Sequence, residues 1–213
     1  MLVIKNYNRE RARSYASAWA FSRNPLFTDF SGIGGDCTNF VSQCVFAGSC
    51  RMNFTPIYGW YYLDANDRTA SFTGVEYFYD FLLSNEGEGP FGREVNTDEC
   101  EVGDVIQLGR EGERYYHTLL VVGKEGEDFL VAAHSEDAYG RRLSDYSFDR
   151  ARYLHIEGVR VEVAVREDCY LPLIEGEALL IAGSGIGLPS VPPGGEAPPP
   201  AEPPMPEGPP MPL

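Results

Sequence analysis

In the stretch GIGGDCTNFVSQCVFAG, residues 32–48, one cysteine stands between a glycine-rich turn and an apolar pattern of helical period. Cys37 falls at the first position of that pattern, and Asp36 at the capping position before it. A helix N-terminus carries partial positive charge, which favours thiolate over thiol. The spacing therefore predicts Cys37 as a nucleophile with a lowered pKa. Gly32, Gly34 and Gly35 leave a bare backbone that lets a carbonyl approach the sulfur, and the amides of the Gly35–Asp36 turn and of Cys37 are the candidate oxyanion donors. Cys44 lies further along the same apolar stripe and reads as core.

A nucleophilic thiol needs a base, and the chain has three histidines, His117, His134 and His155. His117 opens the strand-like HTLLVV and His134 ends the next strand-like run. Antiparallel pairing of those runs puts both imidazoles at one end of the sheet, where His134 is expected to orient His117 by a hydrogen bond. His155 sits between Leu154 and Ile156 in another strand and reads as structural. The chemistry such a set performs is acyl transfer through a thioester, which requires no metal or organic cofactor.

These residues need a scaffold of helices followed by strands. Ala12, Tyr15, Ala16 and Trp19 recur at helical spacing behind Asn8 as cap, with Asn24 and Pro25 as the stop. A second helix runs from residue 37 to 47 with Gly48 ending it. A third is expected to start at a capping box of Thr73 and Glu76, with Val75, Phe78, Phe81 and Leu82 as its stripe. The period then changes to that of strands over residues 103–108, 115–123, 128–134 and 152–163, with hairpin-length connections at 109–112 and 124–127. Residues 85–96 read as a connection. This is an α+β pattern with an antiparallel sheet.

Several residues have plain readings. Asn39 and Gln43 are expected on the solvated side of the second helix, Asp104 in the turn before its strand, and Ser42 has no base of its own. The aromatic stretch from Tyr58 to Tyr62 fits either a groove lining or the back of the sheet. DAYGRRLSDYS, residues 137–147, fits either a substrate-side loop or plain surface.

Of 213 residues, 32 are acidic and 17 basic, a net charge of −15. No cluster of Lys and Arg offers a polyphosphate or an anionic membrane surface a site, so nucleic-acid and membrane partners are not expected. Twelve of the 16 prolines follow Gly187. The chain therefore divides into a folded domain, 1–187, and a disordered proline-rich tail, 188–213. Five scattered cysteines, with no CxxC pair and no zinc spacing, predict reduced thiols. With no signal-peptide pattern at the start, the chain as written is expected in the cytoplasm, or secreted or in the cell wall if its N-terminus is incomplete, and as a monomer.

GDCTNFVSQ, followed by GDVIQL and YHTLLVV in that order, resembles the putative amidase domain family of bacteria, a branch of the papain-like hydrolases that includes NlpC-like and CHAP-like cysteine enzymes. The resemblance covers residues 7–153 and includes YGWYY and AHSEDAYGRRLSDY. It implies a papain-like, NlpC-type fold with N-terminal helices packed on the antiparallel sheet. It further implies a cysteine amidase or peptidase, with Cys37 as nucleophile and His117 as general base. The third member implied is His134, with Asp137 as its rival. The substrate implied is a peptide or other amide, peptidoglycan fragments included. The competing reading is an inactive papain-like binding module whose proline-rich tail recruits partners.

Overall fold

The computed structural model describes residues 1–162 and 169–176. Its centre is a helix, Cys37–Ser49 (α2), in which every residue from Cys37 to Gly48 is buried. The apolar stripe Phe40, Val41, Cys44, Val45 packs on one side. The polar residues between find partners inside: Tyr15 Oη donates to Gln43 Oε1 at 2.8 Å and Trp60 Nε1 to Ser42 Oγ at 3.1 Å. Asn39 and Gln43, expected in solvent, are thus core residues at 1% and 3% exposure. Enclosed on all sides, α2 has no solvated face to give them.

Gly48 does not stop this helix. A Cβ there would lie 2.3 Å from Tyr7 Cε2 and 2.9 Å from the Asn8 carbonyl oxygen, so the glycine serves close approach of the chain entering the first helix. The stop is Cys50, in the left-handed region at φ 47°. The first helix, Arg9–Trp19 (α1), starts as expected, with the Asn8 side chain accepting the Arg11 N–H at 3.0 Å, and ends earlier than the Asn24–Pro25 signal.

Two further helices, Ala70–Thr73 (α3) and Val75–Ser84 (α4), meet at Gly74. The capping box does not form. Glu76 instead accepts the Tyr115 N–H at 2.8 Å and pairs with Arg152 at 2.8 Å, tying α4 to the sheet.

The sheet is antiparallel and has seven strands: Leu2–Lys5 (β1), Gly89–Val95 (β2), Val105–Gly109 (β3), Tyr115–Glu125 (β4), Asp128–Ala133 (β5), Ala138–Arg142 (β6) and Arg150–Glu162 (β7). Its order is β1-β7-β3-β4-β5-β6, with β2 also on β7. Alternation along β3, β4 and β5 divides the core. Val105, Leu120 and Ala132 face the helices, while Ile106, Leu119, Val121 and Val131 form a second cluster on the other face with Cys100 and Phe129. The fold is therefore α+β, as the sequence predicts.

Three strands were not readable as such. β1 is short, β2 falls in a stretch whose sequence reads as a connection, and β6 carries two arginines and a glycine. Each is fixed by pairing: β1 and β2 with β7, β6 with β5.

A disulfide joins Cys50 to Cys169, from the end of α2 to the start of Tyr170–Glu175 (α5). This corrects the expectation that all cysteines are reduced. Cys37, Cys44 and Cys100 are free and buried. The cross-link closes a separation of 119 residues. Replacing either cysteine by alanine is expected to cost about 2–5 kcal/mol in denaturant unfolding, by the same amount for each because they form one bond. Unchanged unfolding midpoints would show that the bond does not form. The proline-rich tail and the boundary at 187 lie outside the described residues.

Candidate active site

A cleft of about 510 Å³ opens at the N-terminus of α2 and is lined by Cys37, Gly34, Gly35, Tyr116, His117 and the 135–147 segment, among others. Two packing arrangements bring Cys37 and His117 to it. α2 docks against β4 through a hydrogen bond of 2.8 Å between the Thr38 and Thr118 hydroxyls, each next in sequence to one of the pair. On β4 the pairing with β3 slips at this point: Leu108 faces His117 and Gly109 faces Tyr115, so Tyr116 is an extra residue. Such a bulge re-aims the side chains beside it.

Burial shapes the electrostatics. It pushes the Cys37 thiol up, partly opposed by hydrogen bonding from the Thr118 backbone N–H and the Thr38 hydroxyl. The lowered thiol pKa expected from the helix terminus is therefore not what this site has, because the desolvation of Cys37, a residue 7% exposed, outweighs the hydrogen bonds that oppose it. Burial also pushes the His117 imidazole down, to about 4, with Glu136 opposing and Arg141 reinforcing. At rest the cleft holds a neutral thiol and a neutral imidazole.

The glycine turn places Gly34 and Gly35 in the left-handed region, at φ 105° and 111°. Its amides are largely committed. The Gly35 N–H donates to the Phe30 carbonyl at 3.1 Å and the Asp36 N–H to Ser135 Oγ at 3.3 Å. The Cys37 N–H has no acceptor among the described residues. Of the three amides expected as oxyanion donors, those of Gly35 and Asp36 are thus committed and that of Cys37 is open.

Asp36 precedes α2 but its side chain does not cap it. Oδ1 accepts the Phe30 N–H at 3.1 Å and Asn39 Nδ2 at 2.8 Å, and Oδ2 meets His134 Nδ1 at 2.7 Å.

His134 does not reach His117. The pairing of Leu120 with Ala132, extended along the strands, puts position 134 opposite Thr118, so the two histidines leave the sheet on opposite faces. His134 packs on the helix side, its ring stacked on Phe40 at 3.9 Å between centroids. His117 instead has the rings of Tyr116 and Tyr146 at 6.3 and 5.9 Å.

Asp137, the rival third member, hydrogen-bonds neither histidine. Arg23 holds its two oxygens at 2.9 and 3.0 Å near the surface. His155 is structural, bonded through Nδ1 to Asp104 at 2.8 Å. Asp104 does more than shape a turn, since it also accepts the Glu101 and Ile156 N–H groups and pairs with Arg9 at 2.6 Å.

The sequence singled out neither Ser135, Glu136, Tyr116 nor Arg110 as cleft residues. A local signal existed for the first two, which directly follow His134. Arg141, Asp145, Tyr146 and Ser147 come from the DAYGRRLSDYS segment, which is therefore a wall of the cleft. The aromatic stretch goes the other way. Trp60 and Tyr62 are buried at 0% and 1%, and Tyr58 stands 82% exposed, away from the cleft.

Comparison with known proteins fits this geometry. The family described as "Putative amidase domain" matches residues 6–156, a span that holds Asp36, Cys37, His117 and His134. A Bacillus subtilis (strain 168) protein, titled "Uncharacterized protein YhbB", is 35% identical over 142 residues, which is 65% of this chain and 44% of that one. The chain thus matches less than half the length of that relative. No solved structure matches. With more than half of its length inside the match, the chain belongs to the putative amidase domain family, whose description is that of an amide hydrolase.

Proposed function

We propose that this domain is a cysteine-dependent amide hydrolase of papain-like type. The observation that carries the reading is Cys37, at the start of the buried helix α2, lining one cleft with His117. Because the pair rests neutral, proton transfer accompanies attack. His117 takes the Cys37 proton as the sulfur bonds to the amide carbon, and the oxyanion is met by the Cys37 N–H. The imidazolium then gives that proton to the leaving amine, the C–N bond breaks and a thioester remains. Water, losing a proton to His117, releases the acid and restores the thiol.

The substrate class is a peptide amide, with bacterial cell-wall peptides as the leading candidate from the resemblance. The Cys50–Cys169 disulfide supports an oxidising compartment over the cytoplasm expected from the first residues. No helix among the described residues is long and apolar enough to cross a membrane.

Site-selective alkylation tests the reading. With iodoacetamide at neutral pH, Cys37 is expected to label at least about tenfold faster than Cys44 or Cys100, since only Cys37 opens on a cleft with a base. Burial pushes Cys44 up and Cys100 to about 12, with Lys124 and Arg9 offsetting only part of the cost at Cys100. Labelling of Cys37 should keep rising with pH above neutrality, since its thiol is raised. Equal rates at the three thiols would overturn the reading.

A further inference from the structure

The buried pair of His134 and Asp36 has no part in the mechanism above, yet it adjoins the nucleophile in sequence and the cleft wall in space. Both nitrogens of His134 meet oxygen acceptors: Nε2 lies 2.9 Å from the Trp19 carbonyl oxygen, and Nδ1 lies 2.7 Å from Asp36 Oδ2. A carbonyl only accepts, so Nε2 carries a proton. Asp36 Oδ1 accepts from the Phe30 N–H and Asn39 Nδ2, and Arg23 Nε lies 3.5 Å from Oδ2 as an ion-pair contact. His134 is therefore fixed on both sides, by the Trp19 carbonyl and by Asp36, with Phe40 stacked against its face.

The next residue completes the arrangement. Ser135 Oγ accepts the Asp36 N–H at 3.3 Å, and Ser135 holds φ 85°, a conformation costly for a residue other than glycine. The turn between β5 and β6 thus grips residue 36 twice, by side chain and by backbone. Arg23 adds a third tie, reaching Asp137 on that turn and Asp29 and Ser31 before the glycines. An aspartate at this position would ordinarily cap its helix by accepting an amide of the first turn. Here its side chain is drawn away to His134 and Asn39, and the Cys37 N–H stays open.

From this geometry we infer that His134 and Asp36 are positioning residues that act together on Cys37: His134 orients Asp36, and Asp36 sets the start of α2, so that the sulfur and the open amide of residue 37 face the cleft. His134 does not act through His117. The inference rests on Cys37 being the nucleophile, and its test separates the two ideas.

The experiment is the rate of Cys37 alkylation by iodoacetamide in the full chain, read by peptide mass mapping, for the wild type, Asp36→Asn, His134→Gln and the double variant. Each single change is expected to slow Cys37 by about 10- to 100-fold, the scale of an ångström-level misplacement. The double variant should be no slower than the worse single one, because both break one device. Full additivity, or slowing by His134→Gln alone, would overturn the inference. Loss of stability with wild-type alkylation of the folded protein would also overturn it, leaving a structural role. Should these variants not fold, Ser135→Gly decides. It relieves the strain while removing the backbone tie, and is expected to slow Cys37 about fivefold. An unchanged rate there would contradict the device. If wild-type Cys37 is itself unselective, the proposed function falls.

Discussion

Replacing Cys37 by serine is expected to lower amide hydrolysis on the order of ten-thousandfold while the protein stays folded. The two side chains differ by one atom at a site that is 7% exposed, so packing is nearly preserved. The chemistry is not preserved. A serine hydroxyl gives up its proton far less readily than a thiol, and His117, held neutral by burial and pushed down to about 4, is too weak a base for that task. Thermal unfolding should move little, because Thr38 and Thr118 still join α2 to β4. Hydrolysis near the wild-type rate would place the nucleophile elsewhere.

His117→Gln should be the second most damaging change, lowering turnover by about a hundred- to ten-thousandfold, the range of a lost general base. The same residue sets an acid limit. Wild-type activity is expected to fall as pH drops through about 4, where the imidazole gains a proton and can no longer accept one from Cys37. Stability follows with a definite sign. The unfolded chain binds this proton near the ordinary histidine pKa of 6.5 and the folded one only near 4, so stability declines as pH falls between those values and the loss is complete below 4. The decline amounts to about 3 kcal/mol and should be absent from His117→Gln. Denaturant unfolding of both proteins from pH 7 to 4 measures it. Parallel pH dependences would show that His117 is not buried in this way.

How much of this was legible depended on whether the signal was local. Cys37 at a helix start follows from spacing, glycines and the position of Asp36, all within a few residues. The strands β3, β4, β5 and β7 alternate strongly enough to be read directly. The partner of His134 was not legible, since a face assignment needs the register, and bulges at Tyr116 and between Val121 and Gly123 alter it. Asp36 looked like a cap because its neighbours suit one. Only the fold brings His134 close enough to draw its side chain away.

The buried polar side of α2 misled for a related reason. Asn39 and Gln43 have the spacing of a solvated face, but Tyr15 donates to Gln43 and Asp36 and Thr28 accept from Asn39 Nδ2 inside, leaving Asn39 Oδ1 buried without a partner. The Cys50–Cys169 bond spans most of the chain, beyond any local pattern. The cleft wall from Arg141 to Ser147 fits either a substrate-side loop or plain surface in the sequence, and the structure places it beside His117.

The central claim is that Cys37 becomes acylated. The most direct measurement is mass spectrometry of the protein mixed with a simple activated acyl ester and quenched in acid. The expected result is one acyl group on the peptide containing Cys37, which disappears on chasing with buffer as water cleaves the thioester, and which is absent from Cys37→Ser. Acylation on a different residue, or hydrolysis of amides with Cys37 unmodified and dispensable, would contradict the account.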